Sequence, residues 1–233
     1  QRGSCADAND TTPFLKNRVR PSRASRAAPA SVASWSSPMR HTAVSTSATS
    51  QQDLYSVNED GTGLVTLAND ALSEEFVALL ANERVVYVRD GELYSVGADG
   101  TGAATLTNSP DGEYYVAATA DGRVVYRRST FDPVSQVTQD DVYIINGDGT
   151  GLVALAATAS YERFAGFTPA GQVLFERSTG VNGERDLYLV NGDGTGEVRL
   201  TNTPDDEFLN CSAGCVASNG RLIFGREAVG GGD

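Results

Sequence analysis

Histidine is almost missing from this chain, because its 233 residues include only His41. Catalytic triads need a histidine held beside the nucleophile, so serine and cysteine hydrolases of that kind are excluded. Zinc sites of the usual kind need more ligands than His41 and the three cysteines bring together. No Walker loop, G-x-S-x-G elbow or H-E-x-x-H motif occurs. We therefore expect a protein that is not an enzyme of these classes.

Long apolar runs and basic residues are also scarce. No run of 18 apolar residues occurs, so the sequence predicts no membrane-spanning helix. The 18 basic and 30 acidic residues give a net charge of −12, divided as +5 over residues 1–52 and −17 over the remainder. Because an acidic globular part repels phosphate backbones, we expect no binding of nucleic acid.

Residues 1–52 differ in composition from the rest. They are rich in serine, alanine and arginine, contain four prolines, and show no sustained period of 2 or 3.6. This composition predicts a disordered tail. An Arg- and Ser-rich targeting leader is the alternative, although the apolar segment of a secretory signal is absent.

From residue 53 onward, one pattern occurs four times. The copies read DLYSVNEDGTGLVTL at 53–67, ELYSVGADGTGAATL at 92–106, DVYIINGDGTGLVAL at 141–155 and DLYLVNGDGTGEVRL at 186–200. Each has two short runs of β-branched and aromatic residues around a D-G-T-G turn, which is typical of a β-hairpin. The turn glycines supply the positive φ that such a turn requires.

A second hairpin follows each of these copies. Its later strand reads RVVYVR at 84–89, RVVYRR at 123–128, QVLFER at 172–177 and RLIFGR at 221–226. The D-G-T-G turns are 39, 49 and 45 residues apart. Four short strands at that period are typical of a propeller blade. We assign repeats near 53–90, 91–128, 141–178 and 186–227, with residues 228–233 as a flexible C-terminus.

The repeated pattern D-[LV]-Y-x-[VI]-N-x-D-G-T-G, followed by L-T-N-x-P and D-G-R-[VI]-x-[YF], resembles the WD-like propeller repeat of the TolB family. The resemblance covers residues 53–227, and the copy at 186–227 matches best, with LTNTPDDEF at 200–208. It implies a β-propeller that is often periplasmic or extracellular and binds proteins. Peptidase domains that accompany similar blades have no counterpart here.

The strand count predicts an all-β fold, namely a β-propeller of about four four-stranded antiparallel blades. Sixteen strands are expected, and the last two would complete a sheet with the first two, which protects the edge strands. Two alternatives to a four-bladed ring stay open: the chain could be a fragment of a larger ring, or two chains could share one ring as a homo-oligomer.

Alignment of the copies brings out two recurrent charges. A glutamate follows the leucine at the end of each first hairpin by seven residues, and an arginine follows the aromatic residue of each last strand by two. The glutamates are Glu74, Glu113, Glu162 and Glu207, and the arginines are Arg89, Arg128, Arg177 and Arg226. Propeller topology places all eight near one channel mouth. The glutamates either form a carboxylate ring that binds a cation such as Ca²⁺ or pair with the arginines and lock blade to blade. Equal numbers of the two favour pairing.

Two insertions and a cysteine pair complete the candidate features. Residues 129–140 and 178–185 lengthen the link between hairpins on the face that bears these charges, where loops on a rigid scaffold often bind partners. Cys211 and Cys215 either close a small disulfide in an oxidising compartment or stay reduced as small core residues.

These features favour a non-catalytic propeller that binds a protein or carbohydrate partner on its loop-bearing face, in the periplasm or outside the cell, with no cofactor. The alternatives are a metal-assisted hydrolase or lyase that uses the channel-mouth carboxylates, and a structural fragment of a larger propeller protein.

Overall fold

Short runs of β-branched and aromatic residues between glycine turns form strands throughout the part of the chain that the structure describes. This computed structural model describes residues 51–178, 184–209, 215–217 and 219–228. Within these ranges no helix is long and apolar enough to cross a membrane. The tail predicted over 1–52 and the flexible C-terminus predicted over 228–233 lie almost wholly outside them, so both stay predictions.

Sixteen strands occur in the described ranges. In chain order they are β1 (Leu54–Ser56), β2 (Val65–Ala68), β3 (Glu74–Leu79), β4 (Arg84–Arg89), β5 (Glu92–Gly97), β6 (Ala104–Thr105), β7 (Gly112–Ala118), β8 (Arg123–Asp132), β9 (Val137–Asn146), β10 (Val153–Ala156), β11 (Glu162–Phe167), β12 (Val173–Ser178), β13 (Arg185–Val190), β14 (Val198–Arg199), β15 (Asp206–Phe208) and β16 (Gly225–Glu227).

The strands form three complete sheets and two half sheets. Blade 1 has the order β3-β4-β5-β6, blade 2 the order β7-β8-β9-β10 and blade 3 the order β11-β12-β13-β14, and every pairing is antiparallel. Two-stranded sheets precede and follow them, and we call these the N-terminal hairpin (β1–β2) and the C-terminal hairpin (β15–β16). The predicted all-β architecture of four-stranded propeller-like blades is confirmed.

The sheets are offset by half a unit from the repeats in the sequence. Blade 1, for example, takes its first two strands from the repeat near 53–90 and its last two from the repeat near 91–128. We expected the last two strands to complete a sheet with the first two, but among the described strands no ladder joins β16 to β1, so that closed sheet is not formed there.

Apolar side chains fill the spaces between successive sheets. One buried cluster joins blade 1 to blade 2 through residues such as Leu93 and Tyr126, and a second joins blade 2 to blade 3 through residues such as Val125 and Phe175. Smaller clusters connect the end hairpins to blades 1 and 3. The middle strands are therefore covered on both faces, which explains their nearly continuous apolar sequences.

A stacked aromatic pair joins the second and third strands of every blade. The pairs are Tyr87–Tyr94, Tyr126–Tyr143 and Phe175–Tyr188, with ring centroids 5.6, 5.5 and 5.3 Å apart. Each pair is directly opposed in the ladder. Because cross-strand pairs stabilise one register over its neighbours, these rings help to fix the alignment of the two strands.

Each D-G-T-G turn from the second onward lies against the last strand of the preceding sheet. A Cβ on Gly100 would be 2.8 Å from Val65 Cγ1, one on Gly149 would be 2.8 Å from Thr105 O, and one on Gly194 would be 2.8 Å from Val153 Cγ1. These glycines have φ values of +79 to +83°. Both the backbone conformation and the close approach therefore require glycine at this turn position.

Substitution of Phe175 tests the core between blades 2 and 3. Phe175 is fully buried, so we expect Phe175→Ala to lower the free energy of unfolding by about 3–5 kcal/mol. Denaturant unfolding followed by circular dichroism measures this loss. Phe131→Ala is the control, because Phe131 is 59% exposed. Equal losses in the two variants would contradict the described packing.

Candidate functional site

The recurrent glutamates and arginines face each other in the same sheet. Each glutamate is at or near the start of the first strand and lies directly opposite the arginine near the end of the second. The opposed pairs are Glu74–Arg89, Glu113–Arg128, Glu162–Arg177 and Glu207–Arg226. All four glutamates are at most 4% exposed. A buried carboxylate needs a charged or hydrogen-bonding partner, and the opposed arginine is placed to supply one.

Three of the four pairs have the same hydrogen bonds. The arginine Nε donates to Glu Oε1 at 3.2 Å in Glu113–Arg128 and at 2.9 Å in Glu162–Arg177 and Glu207–Arg226. In each case a hydroxyl four residues before the glutamate donates to the same oxygen. These hydroxyls belong to Ser109, Thr158 and Thr203. These hydroxyls were not predicted from the sequence, although the spacing [S/T]-x-x-x-E occurs in three of the four repeats.

The pairs connect strands of one blade, so the expectation that they lock blade to blade is wrong. Register explains the difference, because each Glu and Arg belong to one hairpin and are cross-strand neighbours. The arginines of the blades also stack on the third strand, with Cζ of Arg89, Arg128 and Arg177 lying 4.1–4.6 Å from the ring centroids of tyrosines there. Arg128 and Arg177, which also bond to the glutamate on the first strand, therefore tie three strands together.

A different arginine connects blade 3 to the C-terminal hairpin. Arg185 donates two hydrogen bonds to Asp206, at 2.9 and 2.8 Å, and one to Glu176 at 2.9 Å. Glu176 in turn accepts the backbone N–H of Leu209 at 2.7 Å. This network occurs once and not in every repeat, so a search for recurrent charges could not find it.

The paired carboxylates are poor metal ligands. In the described ranges, no group of three or more histidine, cysteine, aspartate or glutamate side chains could hold a metal ion. The carboxylate ring for Ca²⁺ that we considered therefore has no support in this part of the chain. One oxygen each of Glu113 and Glu207 is buried without a hydrogen-bond partner, but each of these glutamates already bonds to its arginine.

Blade 1 departs from the common arrangement. Asp70 takes the place of the hydroxyl residue, and Arg89 pairs with Asp70. Both oxygens of Glu74 are buried, and no donor among the described residues reaches them. Burial, and then the nearby Asp70 carboxylate, raises the pKa of Glu74 to about 7.

This raised pKa predicts a pH-dependent stability. The ordinary pKa of a glutamate is 4.5, so the contribution of Glu74 is complete below that value and is lost as pH rises through about 7. We expect Glu74→Gln to be more stable than the natural protein by about 3 kcal/mol at pH 8, and similar to it at pH 4.5. Thermal melts across this range measure the difference.

The control is Glu75→Gln, which removes the same charge from an exposed neighbour on β3. It should leave the pH profile of the melting temperature unchanged. An equal pH profile for Glu74→Gln and the natural protein would show that Glu74 is not protonated on folding.

Removal of one arginine tests the pairing itself. Arg177→Met leaves Glu162 buried without its cation, so we expect a loss of about 3 kcal/mol in unfolding free energy. The double variant Glu162→Gln/Arg177→Met should lose less, because no buried charge remains. Arg163→Met is a matched control, since Arg163 is 53% exposed and its pair with Glu176 is 3.4 Å long. Urea unfolding at pH 7.5 compares the three, and a double variant as unstable as Arg177→Met would contradict the interpretation.

The first insertion, residues 129–140, continues the pairing of β8 and β9 and is not an irregular loop. Ser129 to Asp132 pair with Asp140 to Val137, so these two strands are 10 residues long where β4 and β5 have six. We call residues 129–140 the β8–β9 arm. Three apolar side chains on it are exposed, by 59% at Phe131, 91% at Val134 and 57% at Val137.

The base of the arm is held firmly. Arg127 Nη1 donates to buried Asp140 at 2.8 Å, and Ser129 donates to the same carboxylate. Arg127 also lies over the Tyr114 ring, with Cζ 4.6 Å from its centroid. Since alternate residues of a strand share a face, Arg127 and Phe131 lie on the same face of the hairpin. Tyr161, immediately before β11, lies near this base. Its burial, and then the Asp140 carboxylate, raises the pKa of its hydroxyl.

The other predicted features are only partly described. Within the second insertion, residues 179–183 lie outside the described ranges, which resume at Glu184. Cys215 is buried among Leu174, Leu187 and Leu209 and is disulfide-bonded. Cys211 lies outside the described ranges, so its pairing with Cys215 stays a prediction.

No protein-family model and no curated protein matches the chain. Among solved structures it is similar to the hydrazine synthase of Kuenenia stuttgartiensis, at 14% identity and a TM-score of 0.42, over 64% of this chain and 28% of that one. It is also similar to the tricorn protease, at 14% identity and a TM-score of 0.26, over 68% of this chain and 20% of that one. The chain thus spans less than a third of either protein. Likeness at this level says nothing about what the chain does.

Proposed function

We propose that this chain is a TolB-like propeller module that binds a protein partner through the β8–β9 arm and catalyses no reaction. The arm carries this proposal. It presents Phe131, Val134 and Val137 to solvent on a paired hairpin, whereas blade 1 joins the equivalent strands through the short turn Asp90–Gly91. Exposed apolar side chains on a rigid support are typical of protein-binding surfaces.

The surroundings of the arm have the composition of a protein interface. Tyr114 and Tyr161 are exposed beside it, and the Arg127 and Arg163 side chains are 36 and 53% exposed. Tyrosine, phenylalanine and arginine are enriched in interfaces because they combine large contact areas with directional polar groups. These four residues and Phe131 together form the proposed binding surface.

The TolB resemblance and the compartment belong to the same proposal. The repeated D-G-T-G hairpins support the family, and the disulfide at Cys215 supports a periplasmic or extracellular location, since such compartments are oxidising. A carbohydrate partner is the alternative for the same surface. The metal-assisted hydrolase or lyase gains no support, because most of the buried glutamates that it needs are paired with arginines.

Replacement of the arm tests the proposed function. We expect a variant with Asp-Gly in place of residues 131–138 to lose partner binding. Because these residues are all exposed and the Arg127–Asp140 pair is kept, its unfolding free energy should change by only about 1 kcal/mol. A photo-crosslinking amino acid at position 131 should give a discrete protein adduct in extracts of the source organism. The same amino acid at Leu152, which is 52% exposed, is the control.

The results separate the alternatives. A protein partner is supported by an adduct that forms at position 131 and not at position 152. Asp substitution of Val134 and Val137 should prevent that adduct. Binding on a glycan array that depends on Tyr114 and Tyr161, with no protein adduct, would favour the carbohydrate alternative. Equal adducts at both positions would overturn the assignment of the arm.

A further inference from the structure

Among the described residues, the first D-G-T-G turn differs from the other three because no sheet lies against it. A Cβ on Gly61 would meet no described atom within 4 Å, whereas its counterparts Gly100, Gly149 and Gly194 each lie against the preceding sheet. Gly61 has the same φ, +80°, so the turn itself is formed. The described part of the chain therefore has one such turn that covers no strand.

The last strand of blade 3, β14, is not covered by a D-G-T-G turn among the described residues. Val198 on β14 is the counterpart of Val65, Ala104 and Val153, which the turns of the following sheets partly cover. Val198 itself is 50% exposed, and Leu200 beside it is 42% exposed. Within the described residues, β14 is thus the one strand of this kind that no D-G-T-G turn covers, and the first turn is the one that covers no strand.

A pocket of about 340 Å³ lies next to this uncovered strand. Blade 3 and the C-terminal hairpin line it, with Thr168, Gln172, Leu200 and Gly220 among the lining residues. Between blades 1 and 2 the equivalent space is filled, because Gly147 of the third D-G-T-G hairpin lies against Leu80, Arg84 and Gly122.

The size of the pocket matches the residue that would fill it. Thr168 and Gln172 are the counterparts of Leu80 and Arg84, and both are smaller, so this space is wider than the one that Gly147 fills. The counterpart of Gly147 in the first repeat is Glu59, which is larger. The smaller side chains of Thr168 and Gln172 therefore leave room for the larger side chain of Glu59. The Gln172 amide and Thr168 hydroxyl are also groups that can donate to a carboxylate.

The two end hairpins hold the separate halves of one aromatic pair. In the blades, the stacked rings come from the second and third strands. Tyr55 on β1 is the counterpart of the third-strand tyrosines, and Phe224 immediately before β16 is the counterpart of the second-strand rings. Phe224 is 39% exposed. Docking of β1 beside β16 would complete the sheet order β15-β16-β1-β2 with Phe224 opposite Tyr55.

We propose that two copies of this chain associate head to tail, with the N-terminal hairpin of each completing the blade that the C-terminal hairpin of the other begins. Within one chain, no ladder joins β16 to β1 among the described strands. Each copy supplies three complete blades and two halves. Two copies joined at both ends contain eight blades, which is within the range of about four to eight for closed propellers.

Paired variants test this association in the full chain. Light scattering should give a mass of twice 24.5 kDa for the natural protein. Gly61→Asn tolerates the positive φ of the turn but places a side chain where β14 of the other copy would lie. Val198→Glu places a charge on the strand that would be covered. We expect each variant alone to raise the dimer dissociation constant by about tenfold or more.

Mixing the two variants gives the decisive result. The Gly61→Asn copy keeps an intact β14 and pocket, and the Val198→Glu copy keeps an intact first turn, so a mixture regains one junction. We expect dimers in an equimolar mixture at a concentration where each variant alone is monomeric. Gly91→Asn and Leu152→Glu are the controls and should stay dimeric, because Gly91 has φ +82° with no atom within 4 Å and Leu152 is exposed.

Three outcomes would overturn the proposal. One is a monomeric natural protein whose melting temperature falls in both variants, which would show closure within one chain. Another is a monomeric natural protein that neither variant destabilises, which would leave both ends uncovered. The last is a dimer that persists in both single variants, which would place the interface elsewhere.

Discussion

The middle strands of each sheet have two apolar faces, and each face must be covered by another sheet. β12 shows this most clearly, since Val173, Leu174 and Phe175 are almost fully buried although successive side chains point to opposite faces. No blade can therefore be stable alone, and stability comes from the contacts between neighbours. The D-G-T-G turns, the stacked rings and the Glu–Arg pairs stabilise further a structure that depends on the packing of sheet against sheet.

The buried charges have a role within the sheets that differs from that of the apolar clusters between them. Glu162 and Arg177 are fixed by register, a neighbouring hydroxyl and a tyrosine ring, so they define how three strands align. The replacement of a hydroxyl residue by Asp70 in blade 1 removes the donor from Glu74 and leaves a carboxyl that is most stable when protonated. One side chain thus leaves Glu74 without the arginine and hydroxyl bonds that Glu113 and Glu162 have.

Much of this arrangement can be predicted from local patterns. Alternating strands, D-G-T-G turns and the recurrence of glutamate and arginine each depend on residues close in sequence, and the all-β sheets follow from them. The Glu–Arg pairs were expected between blades and lie within them, because repetition shows which residues are equivalent and does not show which residues face each other across a ladder. Residues 129–140 were expected to form a loop. Their pairing continues the β8–β9 ladder, and the local sequence does not show where a ladder ends. Whether the first and last strands meet depends on the summed rotation between sheets, and no local pattern encodes it.

The half-unit offset between sequence repeats and sheets has a consequence for how such chains change in length. A duplicated repeat brings the last two strands of one sheet and the first two of the next, so its insertion adds one whole sheet whose strands come from two repeats. The end hairpins keep their sequences and their unsatisfied edges whatever the number of repeats between them. Gene duplication can therefore lengthen the array without creating a new kind of end, and the surfaces at which chains meet are inherited unchanged.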